Sequence, residues 1–215
     1  MKKIILIIIF LVLVSSTYGV TVYPSDDSET RDYQPTNNLG TAEWVQIRSE
    51  NDPKNFRSYL EFNLSANAQN FGSAAFSYYV GYIVDVIHHV DMEFFYCNDG
   101  FDELTIYWNN QDTEVINCAG SPFFSANTSD YGIEGRYITD ITTVANNDVD
   151  GIFTIKIVFN PESYDSDQRQ LSIRSKDELQ AGNLRPLINY TVGGGAPIVY
   201  PELNLTYISP GNNTH

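Results

Sequence analysis

From residue 56 to 65 the chain reads FRSYLEFNLS, with Phe56, Ser58, Leu60 and Phe62 on one side of an extended backbone and Arg57, Tyr59, Glu61 and Asn63 on the other. One side of such a strand joins a core. Comparable aromatic and β-branched runs recur between clusters of Asn, Asp, Gly and Pro, and a long apolar segment with a 3.6-residue period is hard to find. That is the pattern of an all-β sandwich or barrel. Strands are expected over residues 20–23, 44–49, 56–63, 74–86, 90–96, 104–108, 152–159, 171–174 and 187–192, with room for one helical turn within 137–144 before NNDVDG.

The first residues break this pattern. Two lysines precede an unbroken apolar run from Ile4 to Val14, followed by small and polar residues with Thr17 and Gly19 placed for cleavage before Val20. This is the layout of a secretory signal; the apolar run is short for spanning a bilayer, and an uncleaved anchor extending through Tyr18 is the alternative. Removal of the signal takes 19 of the 215 residues and Lys2 and Lys3, moving the net charge from −15 to −17. The remaining length suits one domain, 20–192, and the Gly193–Pro201 stretch GGGAPIVYP suits a connector to a further β domain or tail over 193–215. A surface this acidic repels phosphate backbones, so nucleic acid is excluded as a partner.

Export also fixes the reading of the two cysteines. Cys97 and Cys118 are expected as a disulfide in an oxidising compartment, since no matched histidines accompany them for zinc.

Five segments, in order, resemble the DNRLRE-type domain, a disaggregatase-related module also grouped with a carbohydrate-binding family. They are TRDYQPTNNLGTAEWVQIRS (30–49), FRSYLEFNLS, FDELTIYWNNQDT (101–113), YITDITTVANN (137–147) and LSIRSKDELQAGNLRPLINYTV (171–192). Phe101 stands where tryptophan is usual in that pattern, Asp112 replaces a proline, and the cysteine pair lies outside it. The resemblance implies a jelly-roll β-sandwich, non-catalytic, carried by secreted or cell-surface proteins.

Sugar binding by such a module needs an exposed ring to stack on the apolar face of a pyranose, ringed by polar side chains. Tyr33, Trp44, Tyr78, Tyr79, Tyr82 and Tyr107 are the candidates by composition. Tyr33, in a Pro- and Asn-rich loop, and Trp44, beside it, are the ligand candidates, while Trp108 is expected in the core. Arg57 and Arg174 belong to a polar set with Glu61, Lys176, Asp177, Glu178 and Arg185, within segments that carry the resemblance. Either they bind an anionic sugar or, with Arg57 pairing to Glu61, they lock the first and last segments together.

Oxygen-rich loops at Asp26 and Asp27 and at Asp148 and Asp150 leave room for calcium. NNDVDG begins like an EF-hand loop, but Ile157 stands where that loop needs glutamate, and a turn explains the same residues. The carboxylate pairs Asp26–Asp27 and Asp102–Glu103 are adjacent, so on a strand they point to opposite faces and do not converge for acid–base work. No nucleophile motif is present. The expected function is a secreted or surface non-catalytic module that binds polysaccharide or acts in adhesion. The alternatives are a structural surface or virion component and, behind it, a polysaccharide-degrading enzyme.

Overall fold

The computed structural model describes residues 19–49, 54–64, 70–84, 91–98, 100–114, 118–128, 134–160, 169–178 and 184–193. The apolar run of the expected export signal and nearly all of the connector and tail lie outside the described residues.

Eleven antiparallel strands and two four-residue helices follow in order: β1 (Gly19–Val22), β2 (Asp26–Arg31), β3 (Trp44–Ser49), β4 (Phe56–Asn63), β5 (Phe71–Val84), β6 (Asp91–Cys97), α1 (Gln111–Glu114), β7 (Phe124–Asn127), β8 (Gly135–Asp140), α2 (Thr142–Ala145), β9 (Ile152–Asn160), β10 (Arg169–Arg174) and β11 (Leu187–Val192). They form one strongly curled sheet in the order β1-β11-β5-β10-β3-β4-β9-β6-β7, with β2 beside β4 and β8 beside β5. The result is an all-β antiparallel half-barrel, a coarser architecture than the jelly roll expected.

β5 is 14 residues long and serves three neighbours. Its first half pairs with β11, residues 75–80 pair with β8, and its end pairs with β10. The register slips within the last pairing: Ile173 faces Val80 and Ser172 faces Tyr82, so Gly81 is an extra residue without a direct partner in β10.

The curl encloses one core. Val45 and Ile47 of β3, Leu60 and Phe62 of β4, Phe76 and Tyr78 of β5, Phe94 of β6, Phe153 to Phe159 at alternate positions of β9, and Leu171 and Ile173 of β10 all point into it. Burying each such side chain contributes about 1.5–3 kcal/mol. Phe76 forms the centre of an aromatic chain, stacked on Tyr78 at 5.0 Å and edge-on to Phe62 at 5.8 Å.

The other side of β4 is covered as well. Tyr59 packs with Phe101, Ile106 and Cys97 in a second apolar cluster beneath residues 100–114. Glu61, on the side of the strand opposite Leu60 and Phe62, is 8% exposed. Its Oε2 accepts the Phe101 amide at 2.8 Å and its Oε1 the Ser25 hydroxyl at 2.9 Å. Gly100 is needed for this approach, because a β-carbon there would stand 2.5 Å from Glu61 Oε2. The Cys97–Cys118 disulfide forms and ties the base of this flap across 21 residues.

Residues 104–108 form turns in place of the strand expected. Asp102 Oδ1 accepts the Leu104 amide at 2.9 Å, Asn110 Oδ1 accepts the Tyr107 amide at 2.7 Å, and Asn110 Nδ2 donates to the Thr105 carbonyl at 2.9 Å. Short polar side chains thus capture backbone groups that a ladder would have used. The helical turn expected within 137–144 is present at its end as α2, preceded by β8.

β3 bonds to β4 at a single position, Arg48 opposite Phe56. Beyond it the strands part and side chains replace the ladder. The Gln46 amide donates to Glu29 Oε2 at 2.6 Å, the Gln46 carbonyl accepts Ser58 Oγ at 2.8 Å, and the Lys176 amide, just past β10, donates to Asp27 Oδ2. Two fully buried carboxylates of β2 therefore close the seam of the half-barrel.

Candidate functional site

A cleft of about 530 Å3 opens beside this seam, lined by Tyr23, Pro24, Ser25, Thr41, Glu43, Lys176, Asp177 and Arg185. Each wall has a local cause. Tyr23 to Ser25 form the turn from β1 to β2, and the Ser25 amide bonds to the Glu61 carbonyl at 2.8 Å. Glu43 immediately precedes β3, and the Ser175 amide bonds to its carbonyl at 3.1 Å. Lys176 and Asp177 follow β10, where the Asp177 amide donates to Ser175 Oγ at 3.0 Å. Arg185 stands before Pro186 at the entry to β11, and its carbonyl accepts both terminal nitrogens of Arg136 at 3.3 and 3.4 Å.

The charges across the cleft balance: Lys176 and Arg185 against Glu43 and Asp177. In a chain of net charge −15 this is a locally neutral place. Lys176 is held by Glu103 at 3.0 Å and Asp177 at 3.5 Å. Burial pulls its ammonium pKa down, but the Glu103 bond and the neighbouring carboxylates outweigh that and raise it. Arg185 forms no ion pair among the described residues, so its guanidinium is available on a backbone that Arg136 holds in place. Tyr23 is 39% exposed, a ring accessible at the rim.

Behind the cleft, Asp27 is fully buried. Burial is the main cause that pushes its pKa up to about 7; the Lys176 amide pulls it down, while Asp177 and Glu103 push it further up. Its Oδ1 has no hydrogen-bond partner among the described residues.

The structure brings two of the four ligand candidates together. Trp44 and Arg174 are cross-strand partners on β3 and β10, and the guanidinium lies 3.5 Å from the indole centroid. Arg174 is also paired with Glu178. Tyr33 is separate: it is exposed, stacked on Phe56 at 5.6 Å, and its hydroxyl accepts Arg31 at 3.1 Å. Arg57 lies over Trp108 at 4.6 Å and 3.8 Å from Asp112, and does not pair with Glu61, whose oxygens are taken by Ser25 and Phe101. Trp108 is accordingly outside the core, half-buried in the flap under the Arg57 guanidinium.

Of the four candidate metal carboxylates, Asp148 and Asp150 lie side by side, Asp26 and Asp150 both lie near Glu61, and Asp27 stands apart in the seam. Asp26 and Asp27 face opposite sides of β2. Asp148 accepts the Tyr96 hydroxyl and the Gly151 amide, each at 2.9 Å, and Asp150 accepts the Ile152 amide at 2.8 Å. These bonds build the turn into β9, where Gly151 has φ 84°. Among the described residues no three or more His, Cys, Asp or Glu side chains are grouped to hold a metal ion.

Sequence reasoning missed Tyr23 as a ligand candidate and noted Arg185 only within a polar set. A tyrosine at a strand end before proline was the available signal for the first.

Comparison with known families places the chain among carbohydrate-binding modules, a class that implies binding of a polysaccharide without catalysis. Within it the chain belongs to carbohydrate-binding module family 96, whose model matches residues 18–184 and to which DNRLRE-type domains correspond. No curated protein matches the chain. A disulfide-bonded module of this class is consistent with an extracellular location.

Proposed function

We propose that this protein is a secreted or cell-surface module that holds an uncharged polysaccharide in the cleft between Tyr23 and Arg185. The reading rests on family membership together with one observation, the charge-balanced cleft with an accessible ring at its rim and, across it, a guanidinium that forms no ion pair among the described residues. The Tyr23 ring stacks on the apolar C–H face of a pyranose, while Arg185, Lys176, Thr41 and Glu43 bond to hydroxyls. Pockets that hold small ligands commonly combine an apolar contact with a few placed polar groups in this way. Dense polyanions are disfavoured by the net charge of −15. The scaffold is read as a jelly roll whose curled sheet closes around one core.

A glycan array followed by calorimetric titration of the full chain tests this, with uncharged β-linked oligosaccharides set against oligouronates. Tyr23→Ala and Arg185→Ala are expected to weaken binding by about tenfold each, or 1.4 kcal/mol. Tighter binding of the uronates overturns the charge argument. No binding by folded protein overturns the sugar reading in favour of a structural surface component. The same titration with calcium and with chelator decides whether the loops at Asp26 and Asp148 take part.

A further inference from the structure

Four strands pair along one side only among the described residues: β1 with β11, β2 with β4, β7 with β6 and β8 with β5. The other side of such a strand offers backbone amides and carbonyls to any second sheet, and charged residues on the strand discourage that pairing. β2 (DDSETR) and β8 (GRYITD) carry charges. β1 (GVTV) and β7 (FSAN) carry neither charge nor proline. Both are accessible, with Val20 of β1 and Ser125 of β7 exposed.

Each of these two uncharged edges has an Asn-x-Ser/Thr sequence at hand. Asn127-Thr128-Ser129 begins on the last residue of β7 itself. Asn189-Tyr190-Thr191 lies in β11, where Asn189 is the direct partner of Thr21 in β1, so it stands one strand spacing, about 4.8 Å, from that strand. In both the middle residue, Thr128 or Tyr190, is buried, and the asparagine is partly exposed. A third such sequence, Asn63-Leu64-Ser65, starts at the exposed end of β4, a strand with neighbours on both sides.

The hydrogen bonds of the two side chains are compatible with a bond from Nδ2 to a sugar. Asn189 holds Thr21 through its oxygen, Oδ1 accepting the hydroxyl at 2.6 Å. Asn127 donates through Nδ2 to Asp91 Oδ1 at 2.9 Å. The asparagine amide has two N–H donors, and substitution of one leaves the other for Asp91.

We propose that Asn127 and Asn189 are N-glycosylation sites whose glycans cover the two uncharged edges and keep the module from associating sheet to sheet. Transfer joins Nδ2 to the anomeric carbon of an oligosaccharide carried on a lipid pyrophosphate. The bond from that carbon to the pyrophosphate oxygen breaks, the lipid pyrophosphate leaves with the electron pair, and the amide proton passes to a base of the transferase. A glycan attached in this way is bulky and solubilising. The chemistry belongs to the secretory lumen, so the proposal rests on export of the chain and is independent of what the cleft holds.

The test expresses the full chain with its own leader in cells that have an N-glycosylating secretory pathway, and maps the protein recovered from the medium by peptide mass spectrometry. Asn127 and Asn189 are expected to carry glycans. Trimming the native protein with an endoglycosidase, which leaves one sugar on each asparagine, is expected to turn a monomer into larger species in sedimentation velocity. Ser129→Ala removes the first site while keeping Asn127 and its bond to Asp91, and is expected to show part of this loss of monomer. Ser65→Ala, which touches no open edge, is expected to stay monomeric. Bare asparagine at 127 or 189 in the secreted protein, or retention of the chain inside the cell, overturns the proposal. A trimmed protein that stays monomeric, or a Ser65→Ala variant that associates as readily as Ser129→Ala, overturns the covering of the edges.

Discussion

The Asp27 carboxylate accepts a hydrogen bond from the Lys176 amide, so a buried acid of an edge strand holds the segment that walls the cleft. Asp27 has an ordinary pKa of 3.8 that the fold raises to about 7. Between these values the folded chain keeps a proton that the unfolded chain has released, so stability falls as pH rises through this window. The loss is about 4 kcal/mol by about pH 8. Asp27→Asn keeps an oxygen for the Lys176 amide and carries no charge. Thermal melts from pH 5 to 8 are expected to show a smaller fall for this variant, which is the more stable of the two at pH 8. A variant less stable than wild type at pH 8 would show that the ionised carboxylate is favourable in the seam.

Glu61 joins the flap to β4 through the Phe101 amide and to the β1–β2 turn through Ser25. Glu61→Ala leaves both donors without their acceptor beneath a covered surface, at a cost of about 2 kcal/mol. Gly100→Ala forces the flap away from the same carboxylate and is expected to cost about 1–3 kcal/mol. Urea denaturation measures both, and hydrogen exchange over residues 100–114 is expected to accelerate. Unchanged exchange there would mean that the flap does not depend on this contact.

Reduction of Cys97–Cys118 frees a loop of 21 residues in the unfolded chain. The expected loss is about 3 kcal/mol. It should appear as a lower urea midpoint with reductant, and alkylation of the native, unreduced protein should find no thiol. Two reactive thiols in native protein would refute the bridge.

Gly151 holds φ 84° in the turn that the Asp148 and Asp150 side chains build. Gly151→Ala places a β-carbon in the left-handed region, costing about 1–2 kcal/mol. Asp148→Asn tests the same turn from the other side. It keeps an acceptor but loses the charge that burial already disfavours, and burial raises the Asp148 pKa. Its stability relative to wild type is therefore expected to improve as pH rises.

The strands legible in the sequence were those with apolar alternation: 44–49, 56–63 and 187–192 were read to the residue. β2 was not, because its sequence DDSETR has carboxylates at the positions that fill the seam, and a buried acid looks like a loop acid until its partner is known. The flap misled in the opposite direction. Its aromatic residues resemble a strand, but Asp102 and Asn110 take the backbone bonds. The stack of Trp44 on Arg174 joins residues 130 positions apart, and its proximity to Gly81 follows from a one-residue bulge. Periodicity carries no trace of either. The cleft is likewise assembled from four distant turns, each polar in its own right and unremarkable alone.

The pairing of β1 with β11 has a mechanical consequence. Gly19 stands opposite Thr191, so polypeptide leading into β1 and polypeptide leaving β11 part company at one point on the rim. A pull between them loads the hydrogen bonds of this ladder one after another, as a zipper opens, and never all together in shear. Under such a load residues 19–22 peel from β11 at low force, while the core behind β5 stays intact.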